Sequence, residues 1–193
     1  MGGTMSENLF VTHCSPTLAG MKTGNLFSCR CCCPNQLRGF IAYWNSMLNP
    51  KGVYIKVMQL KSERALIYVY RKAKLESAIA NPEIRAFLEG HGYDCSRPER
   101  MIEEMLNRLA RRICHTDEFP HEIGVFLGYP FEDVKGFIEN EGKNYKFVGQ
   151  WKVYSDENAA KKLFSKYKKC TDVYCRCFEE GRQLTRLTVA PAG

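Results

Sequence analysis

The chain has 193 residues, 45% of them hydrophobic and 25% charged, with a net charge of +7 at pH 7. That length suits one sizeable core, and the composition is that of a globular protein, which excludes a wholly disordered or fibrous chain. No apolar run is long enough to span a bilayer, and the opening residues "MGGTMSENLF" carry no basic and apolar leader, so neither a membrane helix nor a secretory signal is expected and the cytoplasm is the expected compartment.

In chain order, "SPTLAGMKTGNLF" predicts a short helix with Ser15 as N-cap and Pro16 in the first turn, where a missing N–H costs nothing. "CRCCCP" reads as a tight loop. Leu37, Ile41, Trp44 and Leu48 then recur at helical spacing until Pro50 and Gly52 end the helix. "VYIKVMQL" and "RALIYVYR" alternate in hydrophobicity around the polar "KSE" and predict a hairpin over 53–71. Helices are predicted over "KLESAIA", over "PEIRAFLEGHG", and over a longer segment opened by Ser96 and Glu99 as a capping box, with Ile102, Leu106, Leu109 and Ile113 on one face.

"FPHEIGVFLGYPFEDVKGFIENEG" predicts two short helices around "GYP", and "NYKFVGQWKVY" one or two strands able to extend the hairpin near 145–154. Ser155 opens a further helix with Ala160, Leu163, Phe164 and Tyr167 inward and Lys161, Lys162, Lys166, Lys168 and Lys169 outward. A last helix near 171–180 stops at Gly181. The expected fold class is therefore α+β: one domain over residues 1–193, a small antiparallel sheet covered by several helices, and frayed ends at about 1–6 and 186–193.

Charge is unevenly spread. Residues 116–142 hold seven acidic groups and one basic, between basic flanks. The helix–"GYP"–helix segment therefore does not suit DNA, since its second helix carries four acids and one lysine where phosphate contacts would be needed. The expected partner is a small-molecule or anionic ligand, with no DNA and no membrane, and no protein partner can be named.

Ten cysteines without a leader segment are expected to be reduced thiols. Cys29, Cys31, Cys32 and Cys33 are close enough in sequence to hold a soft metal ion, with Cys170, Cys175 and Cys177 as further candidates, but their spacing is not that of a zinc ribbon. No metal ligand and no cofactor is assigned. His121 with Glu122 lacks the second histidine of an H-E-x-x-H site, Val125 standing there.

Cys14, just ahead of the expected helix start, would feel the positive end of a helix dipole, which favours thiolate. A base must come from elsewhere, because adjacent His13 points away in an extended segment. His121 is the candidate, with Glu122 beside it. The catalytic candidates are thus Cys14, His121 and Glu122. The candidate substrate-binding residues are His13, Thr17, Lys22, Asn25, Arg71 and Lys152, polar groups near glycines, a strand end or Trp151.

Four stretches, "HCSPTLAGMKTGNLF", "LIYVYR", "FPHEIGVFLGYPFEDVKGFIENEG" and "WKVYSDENAAKKLFSKYKKC", together resemble a bacterial domain-of-unknown-function family, number 3793, over about residues 8–184. The resemblance implies a stand-alone cytosolic protein and carries over no catalytic residue. It adds weight to His13, Cys14, Lys22, His121, Glu122 and Trp151, which lie in those stretches, and none to "CRCCCP". Two readings stay open: a thiol-dependent small-molecule enzyme using Cys14, and a non-catalytic accessory protein that binds a ligand, a soft metal or another protein.

Overall fold

The computed structural model describes residues 6–97, 99–115 and 118–191. Its centre is a three-stranded antiparallel sheet in the order β1-β3-β2, from β1 (Gly24–Arg30), β2 (Val53–Lys61) and β3 (Arg64–Arg71). The β2–β3 hairpin is the one its alternation predicts. Ser62 and Glu63 take φ of 50° and 60°, the paired positive values of a two-residue turn matched to strand twist.

Period-two alternation gives the sheet two buried faces. Ala65, Ile67 and Val69 of β3 meet Phe27, Cys29, Val53 and Ile55 in one core, and Tyr68 and Tyr70 enter the other. After the register shift between Val57 and Gln59, Gln59 joins Met58 on the second face, where its amide donates to Ile113 O at 3.1 Å. The first core is covered by α1 (Glu7–Leu18), α2 (Pro34–Leu48) and α9 (Leu184–Leu187), the second by α3 (Lys72–Ile79), α4 (Pro82–Gly90), α5 (Met101–His115), α6 (Ile123–Leu127) and α7 (Phe131–Glu139). A separate hairpin of β4 (Phe147–Val148) and β5 (Lys152–Val153) packs on α8 (Glu157–Glu179), which runs along α1.

The α+β class stands, with differences of four kinds in its elements. First, the helix expected to begin at Ser15 runs from Glu7 to Leu18, with Pro16 inside it. Phe10, Val11, Cys14 and Leu18 form a buried stripe whose burial outweighs the break a mid-helix proline imposes. Second, the stretch before "CCCP" is strand β1, and the 147–153 strands form their own two-stranded sheet instead of extending the hairpin.

Third, α8 is a single helix capped by Asp156, whose carboxylate accepts from Ala159 N at 2.9 Å, so Ser155 is not the cap and no second helix begins at 171. Nor does Ser96 open a capping box: its hydroxyl donates to Asp94, and α5 begins at Met101. Fourth, of the ends expected to fray, residues 1–5 and 192–193 lie outside the described residues, but Leu187 and Thr188 are buried and Val189 N donates to Leu18 O at 3.0 Å. No helix among the described residues is long and apolar enough to cross a membrane.

Candidate functional site

The segment from Pro120 to Ser155 builds a cleft. α6 ends at Gly128, which takes φ +73°, and a Cβ there would stand 2.6 Å from the Thr23 hydroxyl, so the turn passes against the α1–β1 connection only as glycine. After the turn, Tyr129 stacks on Trp151 at 4.6 Å between ring centres, and Phe164 of α8 meets Trp151 edge-on at 4.4 Å. Asp133, buried in the first turn of α7, holds the β5 side in place: it accepts from Trp151 Nε1 at 2.7 Å, Tyr154 N at 2.8 Å and Ser155 N at 2.7 Å. Three donors on one carboxylate make Asp133 a structural tie and leave it little capacity for a ligand.

The resulting cleft has a volume of about 330 Å³ and apolar walls that include Ile123, Leu127, Val134, Phe137 and Trp151. Its polar groups are few. His121 is exposed at the rim with its ring 4.8 Å from Phe137. Lys152 donates to Gly142 O at 2.8 Å and lies over the Phe137 and Tyr145 rings, which leaves further ammonium N–H donors for a ligand. Volume and lining match those of small-molecule sites, apolar with a few placed polar groups.

The structure separates most of the site expected from the sequence. Cys14 is fully buried inside α1, and burial pushes its thiol far above the usual range, with Lys22 nearby opposing. It is neither at a helix N-terminus nor open to solvent, so the dipole argument for a thiolate fails and the thiol-dependent reading with it. His13 stacks on Phe27 at 5.1 Å, where burial lowers its pKa. Glu122 is buried, accepts from Tyr93 Oη at 2.7 Å and pairs with Arg112 Nε at 2.9 Å, so it fastens α6 to α5 and does not serve His121.

Thr17 donates to Asn25 Oδ1 at 2.7 Å, joining α1 to β1 and committing both side chains to each other. Arg71 donates to Thr17 O at 2.6 Å, to Leu18 O, and to Val189 O at 2.8 Å. It closes the C-terminal carbonyls of α1 and holds the C-terminal segment, a cap in place of an anion site. Only His121 and Lys152 of the predicted residues meet at the cleft.

Lys22 sits on the other side of one cleft wall. Its ammonium lies 5.2 Å from the Tyr129 ring centre and 6.0 Å from that of Tyr167. Tyr129, Phe137 and Tyr167 went unnoticed as site residues in the sequence, although the aromatic inside the "GYP" turn between two short helices was the available signal. Among the described residues, no group of three or more histidines, cysteines or acids converges to hold a metal ion.

Fold and cleft together define an α+β protein with an aromatic-walled cleft between two short helices and a minor hairpin. The chain matches the family described as "Protein of unknown function (DUF3793)" over residues 10–188, and it belongs to that family. Neither a curated protein nor a solved structure matches it.

Proposed function

We propose that this protein binds a small organic acid with an apolar body, and that it does so as a ligand-binding protein without using a thiol for catalysis. One observation carries the reading: a cleft of about 330 Å³ whose walls are almost entirely apolar has Lys152, His121 and the Gln150 amide as its outlying nitrogen donors, with Lys152 the one fixed positive charge among its lining residues. An apolar body gains by leaving water against Phe137 and Trp151, and a carboxylate is matched by the ammonium at the lip. Exposed thiols at Cys32 and Cys114 suit a reducing compartment, so the reading keeps the cytoplasm.

Trp151 is the natural reporter. In a Trp44→Phe background, titration with octanoate and with phenylacetate is expected to change Trp151 emission saturably, with Lys152→Met weakening the binding about tenfold, the equivalent of about 1.4 kcal/mol. A folded protein whose Trp151 emission ignores both acids up to millimolar concentration would overturn the reading.

A further inference from the structure

The second face of the sheet carries another cavity, of about 240 Å³, which shares no lining residue with the Trp151 cleft. β2 and β3 supply its aromatic side, Tyr54 and Tyr70, cross-strand neighbours whose rings stack at 5.6 Å. α5 supplies its apolar side, Ile102 and Leu106. The charged lining is uneven: the carboxylates of Glu76, Glu99 and Glu103 against the ammonium groups of Lys56 and Lys72. Both lysines are engaged, Lys56 donating to Asn107 Oδ1 at 2.8 Å and Lys72 pairing with Glu76 at 3.7 Å. Glu103 attracts Lys56 from a distance, but among the described residues neither Glu99 nor Glu103 has an ion pair or a side-chain hydrogen bond.

Solvated acids are ordinary surface, but Tyr70 is a nearly buried polar group turned to the same cavity. It is 8% exposed and lines the cavity, its oxygen is not sealed from solvent, and among the described residues its hydroxyl has no hydrogen-bond partner. Tyr68, stacked on it at 4.9 Å, does have one, donating to Phe126 O. A phenol buried to this degree ordinarily finds a partner, so the free one marks a place for an outside polar group. Burial raises the Tyr70 pKa to about 12, with Tyr54, Glu103 and Glu76 adding to it, so the phenol is protonated at neutral pH and sits in a negative field.

We propose that this cavity binds a small primary ammonium ion with a short apolar body. The ammonium donates to Tyr70 Oη and to the Glu103 carboxylate, lies beside the Tyr54 ring, and leaves its carbon chain against Ile102 and Leu106. Glu99 adds a second negative charge without a partner. An anion meets those two carboxylates and finds both lysines already held. A quaternary ammonium keeps the charge but offers no N–H to the Tyr70 oxygen. The class of ligand is thus a primary alkylamine in its protonated form.

The test titrates the isotope-labelled full chain with n-butylammonium at pH 7 and low salt and follows backbone amide shifts. Saturable shifts are expected at the amides around Tyr54, Tyr70 and Ile102, with Trp151 emission in the Trp44→Phe background unchanged. n-Butanol, butyrate and butyltrimethylammonium should each bind at least about tenfold more weakly. Glu103 is exposed, so Glu103→Gln leaves the core intact and should weaken butylammonium about tenfold. Tyr70→Phe, which keeps the stacked ring, should weaken it several-fold.

A wild-type chain that shows no saturable shift up to tens of millimolar butylammonium overturns the proposal, and that measurement needs no variant to fold. So does butyltrimethylammonium binding as tightly as butylammonium, which would reduce the site to a general negative potential, and so does binding indifferent to Glu103→Gln. The cleft beside Trp151 is tested by organic acids and this cavity by an amine, so either reading can fail while the other stands.

Discussion

At the residue scale, Cys14 and Lys22 are buried side by side with opposite consequences for stability in alkali. The folded chain holds the Cys14 proton more tightly than the unfolded chain, whose thiol has a pKa near 9.0. Its contribution is complete below that pH and is lost as the pH rises above it. For Lys22 the folded pKa, about 8, lies below the ordinary 10.5, so the unfolded chain binds more protons between those values and stability rises with pH across that window. Urea unfolding at pH 7, 9 and 10 separates them. Lys22→Met should stabilise the protein by about 1–3 kcal/mol at pH 7 and remove the rise. Cys14→Ala should cost about 1 kcal/mol at pH 7 and flatten the alkaline decline. A Lys22→Met variant less stable than the parent at pH 7 would show that the aromatic shell offsets the buried charge. Sequence could point to both residues but not to their burial, because the stripe of Phe10, Val11, Cys14 and Leu18 is hidden by a proline that ordinarily marks a helix start.

At the element scale, the parts of the fold with a local signature were the legible ones. The β2–β3 hairpin is fixed by its alternation, and α2 by Leu37, Trp44 and Leu48 on one face. Strand β1 was masked because its buried Phe27 and Cys29 lead straight into a cysteine-dense turn, and only pairing with β3 reveals it. The same edge-of-element problem made Arg71 look like an anion binder. Its guanidinium sits at the end of β3 and gathers carbonyls from α1 and from Val189, two segments far away in sequence. Replacing Arg71 with Met should remove the charge-assisted bonds to Thr17 O, Leu18 O and Val189 O and cost about 2–4 kcal/mol, although Thr17 O and Leu18 O keep their backbone donors Gly20 N and Val189 N. Arg71→Lys should recover only part, since an ammonium does not reproduce the planar fork. Hydrogen exchange supplies a local check: the Val189 amide, which donates to Leu18 O, should lose protection in Arg71→Met more than the β3 amides do.

On the scale of the whole molecule, the class of fold was legible from the pattern of elements, whereas the cleft was not. Its walls come from 119–137 and 150–152, and the lysine behind them from residue 22 joined by Tyr167, so no single window of sequence contains the site. What holds these parts in one body is the central sheet, whose two faces seed the two large cores, with Trp44 in the first and Trp151 in the small cluster on α8. If the three clusters form one folding unit, both surroundings should be lost in one transition. In Trp44→Phe the fluorescence of Trp151, and in Trp151→Phe that of Trp44, should each give the same urea midpoint as far-UV circular dichroism of that variant. Trp151→Phe itself should unfold at lower urea, because Asp133 loses the indole donor. The comparison within each variant is insensitive to that shift. A Trp151 transition that precedes the loss of helix would mean that the β4–β5 hairpin and its cleft open independently of the sheet, and that the cleft belongs to a separately stable unit.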